Sequence, residues 1–195
     1  MGIFSWLRFM LQVFSIIIWK FLGSVFTLEI FSRRKVTVYW MKNRVDESEA
    51  SIIHKTGTST LQGQTYIQLK DGTHWTSPGH YSVWLIPFTH YAQERLNVLY
   101  ADEQGGFDKF NGPNAYLVFD QEDSCYKDYM RKACVDPEGK FEFKNISAGT
   151  YYLLSEIRHK VDPRKDSCLE GGDIMRKLTI AEHETQKVLM IENYK

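Results

Sequence analysis

The 195-residue chain carries 24 acidic and 24 basic residues, so its formal net charge is zero and no global field favours nucleic acid or a strongly acidic partner. Aromatic residues make up 14% of it, with eleven tyrosines and five tryptophans, which suits a β-rich or interfacial protein and excludes a wholly disordered one. The length accommodates one domain of ordinary size plus an appendage.

The first 31 residues are the compositional outlier. From Phe9 to Leu28 the only charge is Lys20. A helix of that length spans roughly 30 Å, about one hydrocarbon core. Lys20 near its centre costs on the order of 2.5–3.5 kcal/mol on an insertion scale, which the apolar residues around it offset. No small-x-small cleavage site follows, so the segment is predicted to be an uncleaved single membrane anchor rather than a signal peptide. On a helical wheel Arg8, Gln12, Ser15, Lys20 and Thr27 gather on one side. Such a polar-spotted stripe is expected to face another membrane subunit rather than lipid. Phe9, Ile16, Trp19 and Phe26 interrupt it, which weakens the alternative of a helix lying in the interface. Arg33, Arg34 and Lys35 come next, and the positive-inside rule would keep them in the cytoplasm.

Residues 36–55 read as a linker or short strand, charged and exposed from Lys42 to Ala50. Ser59 to Leu69 is a predicted strand closed by a turn at Asp71-Gly72, and Thr73 to His80 is loop-like. Tyr81 to Phe88 is the most hydrophobic strand candidate, and Pro87 ends it. His90 to Tyr100 reads as a short helix. Asp102 to Pro113, rich in Gly, Asp and Asn, reads as a loop, and Tyr116 to Phe119 is an apolar run of undecided type. Tyr126 to Val135 is predicted to lead as a strand into the clearest local pattern of the chain, DPEGKFEFKNISAGTYYLL at 136–154.

There Pro137 and Gly139 occupy the second and fourth positions of a turn. Lys140 to Lys144 alternates polar and aromatic residues, and Tyr151 to Leu154 restarts an aromatic strand, so a hairpin is expected. Gly149 is available for a positive φ in the turn between them. Glu156 to Val161 continues the second strand and Asp162 to Gly172 is a long loop. Met175–Ile180 and Gln186–Ile191 are expected to form a terminal pair. About seven strands with one inserted helix and mostly antiparallel connections predict a small β-sandwich over residues 56–195.

The stretches GQTYIQLKDG at 63–72, YSVWLIPFTHYAQERL at 81–96 and Tyr126 through Tyr152 carry a resemblance. The chain resembles bacterial proteins with a carboxypeptidase-regulatory-like domain, whose fold is a transthyretin-like (prealbumin-like) Greek-key sandwich. The resemblance covers roughly Thr56 to Asn193, and its Gly-x-Phe-x-Phe … Ala-Gly-x-Tyr element is specific for fold but poor for function. It implies export to the periplasm, against the positive-inside count, on a membrane anchor in place of a lipid one. The hydroxyisourate hydrolase of that fold would need a C-terminal Tyr-Arg-Gly-Ser-type tail, whereas this sequence reads Ile191 to Lys195 there.

Candidate chemistry is sparse. His74 and His80 flank a loop with His90 beyond, and with Asp71 they would make a metal site, but the spacing matches no strong pattern. Glu122-Asp123 beside Cys125 reads more simply as a solvated turn than as an acid-base pair. Cys125 or Cys134 as nucleophile lacks a neighbouring histidine. Cys125, Cys134 and Cys168 are compatible with one disulfide and a free thiol or with three reduced thiols. Asn145-Ile146-Ser147 matches a glycosylation sequon inside a tight turn. No cofactor, metal or catalytic residue is assigned. The expected function is a non-enzymatic, membrane-anchored interaction module, an accessory or assembly subunit of a membrane complex. The alternative is a periplasmic ligand or carbohydrate binder, or an unrecognised hydrolase, using the aromatic loop at His74, Trp75 and His80.

Overall fold

The computed structural model describes residues 36–76, 82–110, 112, 116–120, 122–160 and 169–193. The expected membrane segment with Arg8, Gln12, Ser15, Lys20 and Thr27 lies outside the described residues, as do His80 and Cys168. No helix among the described residues is long and apolar enough to cross a membrane. Val38–Lys195 form one compact unit.

Alternation along β2 (Ser59–Gln68) sends Ser59, Leu61, Thr65 and Ile67 inward. Along one edge β2 pairs in parallel with β11 (Thr185–Asn193). Along the other it pairs antiparallel with β8 (Lys140–Ile146) and, at its end, with the two-residue β3 (His74–Trp75). A second sheet of five antiparallel strands runs β5 (Gly105–Lys109), β10 (Leu169–Ile180), β9 (Gly149–Lys160), β4 (Ser82–Pro87), β7 (Arg131–Cys134). The main core lies between the two sheets, with Leu61, Phe141, Phe143 and Met190 meeting Val83, Leu85, Tyr151, Leu153, Ile157 and Ile174. The described chain is thus mainly β and sandwich-like, with eleven strands where about seven were expected.

The outer face of the five-stranded sheet is covered. Helix α2 (His90–Tyr100) starts where Thr89 Oγ1 accepts the Ala92 N–H at 3.0 Å, and it ends at Ala101 with φ 53°. Tyr91, Ala92 and Leu96 pack with Ile86, Tyr152 and Met175 into a second core. The short α1 (Glu47–Ala50) and the 3-10 turn Ser51–His54 place Ala50 and Ile53 in buried positions, so part of the stretch read as a linker is built into the sandwich. A two-stranded ribbon of β1 (Thr37–Trp40) and β6 (Leu117–Asp120) completes the described elements and makes the undecided run at 116–119 a strand from Leu117 onward.

Several local expectations are corrected. β8 and β9 are not a hairpin: β8 joins β2 in one sheet and β9 joins β10 and β4 in the other. Both strands bury aromatic residues because the chain arches from sheet to sheet, keeping one side of each strand in the shared core. The positive φ of that arch belongs to Asn145 (56°) and not to Gly149. Likewise β10 and β11 belong to different sheets and are not a terminal pair. The predicted strand from Tyr126 begins as a 3-10 turn, Ser124–Tyr129, before β7. The glycine-rich loop after Asp102 contains an edge strand: Gly106 pairs with Met175, close to the Tyr100 side chain, where a Cβ would lie 3.0 Å from it. Leu169–Gly172, expected in a loop, open β10, with Gly171 at φ 126°.

Candidate functional site

The two described residues of the aromatic loop part company. Trp75 lies opposite Ile67, an inward position, and its ring stacks on His159 of β9 at 4.5 Å and 8°, closing one end of the sandwich. His74 lies opposite Gln68 on the outer face, with its ring 4.3 Å from that of Tyr66. The period of two makes this split unavoidable once residues 74 and 75 form a strand.

The outer face of the four-stranded sheet is built from the alternate residues of β2. In register across it run Lys187, Gln62 and Glu142, then Leu189, Gln64 and Lys140, then Ile191 and Tyr66, and last Asn193, Gln68 and His74. Gln62 Nε2 donates to Glu142 Oε1 at 2.8 Å, and Lys144 Nζ lies 2.9 Å from Glu142 Oε2. These two partners hold the Glu142 carboxyl below the usual range. Gln64 Nε2 donates to the Glu138 carbonyl at 2.7 Å. An open groove of about 510 Å³ runs over Gln62, Gln64, Lys140, Lys187 and Leu189. It shares Gln62, Gly63 and Lys140 with a second groove of about 670 Å³ that extends to Cys134 and Asp136. Two amides and a carboxylate held by these bonds, with the Lys140 and Lys187 positions and an aromatic pair on the same face, suit a ligand with many hydroxyls and an apolar ring face.

The remaining candidates are engaged locally. Asp71 Oδ1 accepts the N–H and hydroxyl of Thr73 within its own turn. His90 opens α2 and its Nδ1 lies 2.6 Å from Glu49 Oε1, so it is not brought to His74. Glu122 pairs with Arg95 at 2.9 Å. Cys125 Sγ donates to Asp123 Oδ1 at 3.0 Å, and this bond pushes the thiol pKa up, opposite to what a nucleophilic thiolate needs. Cys125 and Cys134 are free thiols. Among the described residues no three His, Cys, Asp or Glu side chains are grouped to hold a metal ion.

A cluster the sequence did not signal lies on the outer face of the five-stranded sheet. Asp108, Asp173 and Glu156 stand in one cross-strand row. Arg158 Nη1 meets Asp173 Oδ1 at 2.6 Å and its guanidinium lies over Phe110. Burial, then the Asp173 charge, raises the Glu156 pKa above the ordinary glutamate range. The row was hidden because Asp108 sits in a stretch read as a loop.

No family model matches the chain, and no curated protein matches it. Among solved structures it is similar to a "putative carbohydrate binding protein" from Pseudomonas aeruginosa, with 23% sequence identity and a TM-score of 0.61. The match covers 77% of this chain and 99% of that one. A likeness at this identity establishes a shared fold.

Proposed function

We propose that the domain is a non-catalytic carbohydrate-binding sandwich whose site is the outer face of the four-stranded sheet. The observation that carries this reading is the row of Gln62, Gln64 and Tyr66 on β2, flanked by Lys140, Glu142 and His74 on the same face, with an open groove over Gln62, Gln64 and Lys140. Sugars present vicinal hydroxyls that pair with amide and carboxylate groups, and C–H faces that pack on aromatic rings. The fold neighbour from Pseudomonas aeruginosa supports the same ligand class. This corresponds to the alternative drawn from the sequence, with the site moved from a loop to a sheet face. The carboxypeptidase-regulatory-like, transthyretin-like kinship and the periplasmic location of the domain, held by residues 9–28 as a single membrane anchor, belong to the same proposal. Their support is the quoted motifs and the apolar segment.

The expected partnership with other membrane subunits draws on the polar stripe of that segment alone and is the lesser reading. The test is titration of neutral and acidic oligosaccharides into the detergent-solubilised full chain. Binding that is lost in Gln64→Ala and Tyr66→Ala without a change in melting temperature is the expected result. Binding unaffected by both substitutions removes the sheet face as the site.

A further inference from the structure

We infer that the outward side of the β1–β6 ribbon rests on the surface of an anionic lipid bilayer, an inference that depends on residues 9–28 being a membrane anchor. The inward side of the ribbon is fixed to α2. Tyr39 meets Phe119 edge-on at 6.0 Å, and the Arg95 guanidinium lies 4.2 Å over the Phe119 ring. The Glu94 carboxylate accepts the backbone N–H groups of Lys42 and Asn43, both at 2.8 Å. Strand alternation then turns Val38, Trp40 and Val118 the other way. They are 48%, 67% and 50% exposed, and Tyr116, just before β6 in the chain, is 40% exposed. Asp120 shares that side of β6.

Three large apolar or aromatic residues on one side of a ribbon whose other side is held against α2 form a patch that water does not favour. Three observations select lipid as what covers it. Trp and Tyr are the side chains that settle at the headgroup level. The ribbon follows Arg33, Arg34 and Lys35 in the sequence and precedes the exposed Lys42, and these cations complement anionic headgroups. Val38 follows Leu28 by ten residues, a covalent reach of at most about 35 Å from the end of the apolar segment.

The test uses the full chain reconstituted in phosphatidylethanolamine–phosphatidylglycerol vesicles whose acyl chains are brominated near the headgroup. The emission of Trp40 is taken as the difference between the wild type and Trp40→Phe. Trp40 is expected to lose roughly half or more of its emission, as for a side chain at the headgroup–acyl boundary. No loss in a protein that still resists alkaline extraction overturns the inference while leaving the anchor in place. If Trp40 is then also shielded from aqueous acrylamide, a protein or a second copy covers the ribbon instead. Extraction of the chain by alkaline carbonate overturns the anchor, and this inference with it.

Discussion

Thr65 Oγ1 donates to Ser155 Oγ at 2.7 Å in the layer between the two sheets. Both residues are buried, at 2% and 0% exposure, so each hydroxyl has exchanged water for the other. Neither stands out in the sequence, since both are small polar residues in strands that otherwise bury apolar groups. Thr65→Val alone strands the Ser155 hydroxyl and should cost about 1–3 kcal/mol in urea unfolding. The double variant Thr65→Val/Ser155→Ala removes both partners, and should recover most of that loss in the same measurement.

Two backbone positions should respond in opposite directions. Ala101 closes α2 at φ 53°, where glycine carries no steric penalty, so Ala101→Gly should stabilise by roughly 0.5–1 kcal/mol. Gly171 has φ 126°, and a Cβ there would lie 2.1 Å from the Ile157 carbonyl oxygen. Backbone cannot yield as a side-chain tip can, so Gly171→Ala should lower the melting temperature clearly. Thermal unfolding monitored by circular dichroism checks both.

Glu156 predicts a pH dependence. Its pKa is raised by burial and by Asp173, against the opposing pull of Arg158 and Lys132. The folded chain therefore holds this proton more tightly than the unfolded one. The resulting stability is fully present below the ordinary value of 4.5 and is lost as pH rises through the folded value. Glu156→Gln should thus be more stable than wild type at about pH 8, with the advantage fading as pH falls below the ordinary glutamate range. An advantage that persists unchanged in acid would contradict this.

The split of His74 from Trp75 gives a paired prediction. Trp75→Ala removes the stack on His159 at the end of the core and should cost about 2 kcal/mol or more of folding stability. His74→Ala alters an exposed ring on the outer face and should leave the melting temperature within a degree or so of wild type while weakening oligosaccharide binding. Calorimetry of unfolding and of binding on the same two variants separates the roles.

What the sequence by itself determined is local. The periodicity of His90–Tyr100 and the turn residues Asp71-Gly72 and Asp136–Gly139 carry their structure within a few positions, and each stands where it was expected. The alternation of β8 likewise foretold which side chains would be buried. Only the tertiary structure decided which strand pairs with which. Backbone N–H and C=O groups are the same at every non-proline residue, so a buried side marks a strand's face but not its neighbour. That is why 140–154 looked like a hairpin and is an arch between sheets, and why 175–191 looked like a pair and is divided between them. The candidate site follows the same rule. Gln62, Gln64, Lys140, Lys187 and His74 are unremarkable polar residues until three strands and a two-residue fourth bring them onto one face. The grouping exists only because closing the sandwich buries the opposite side of each strand.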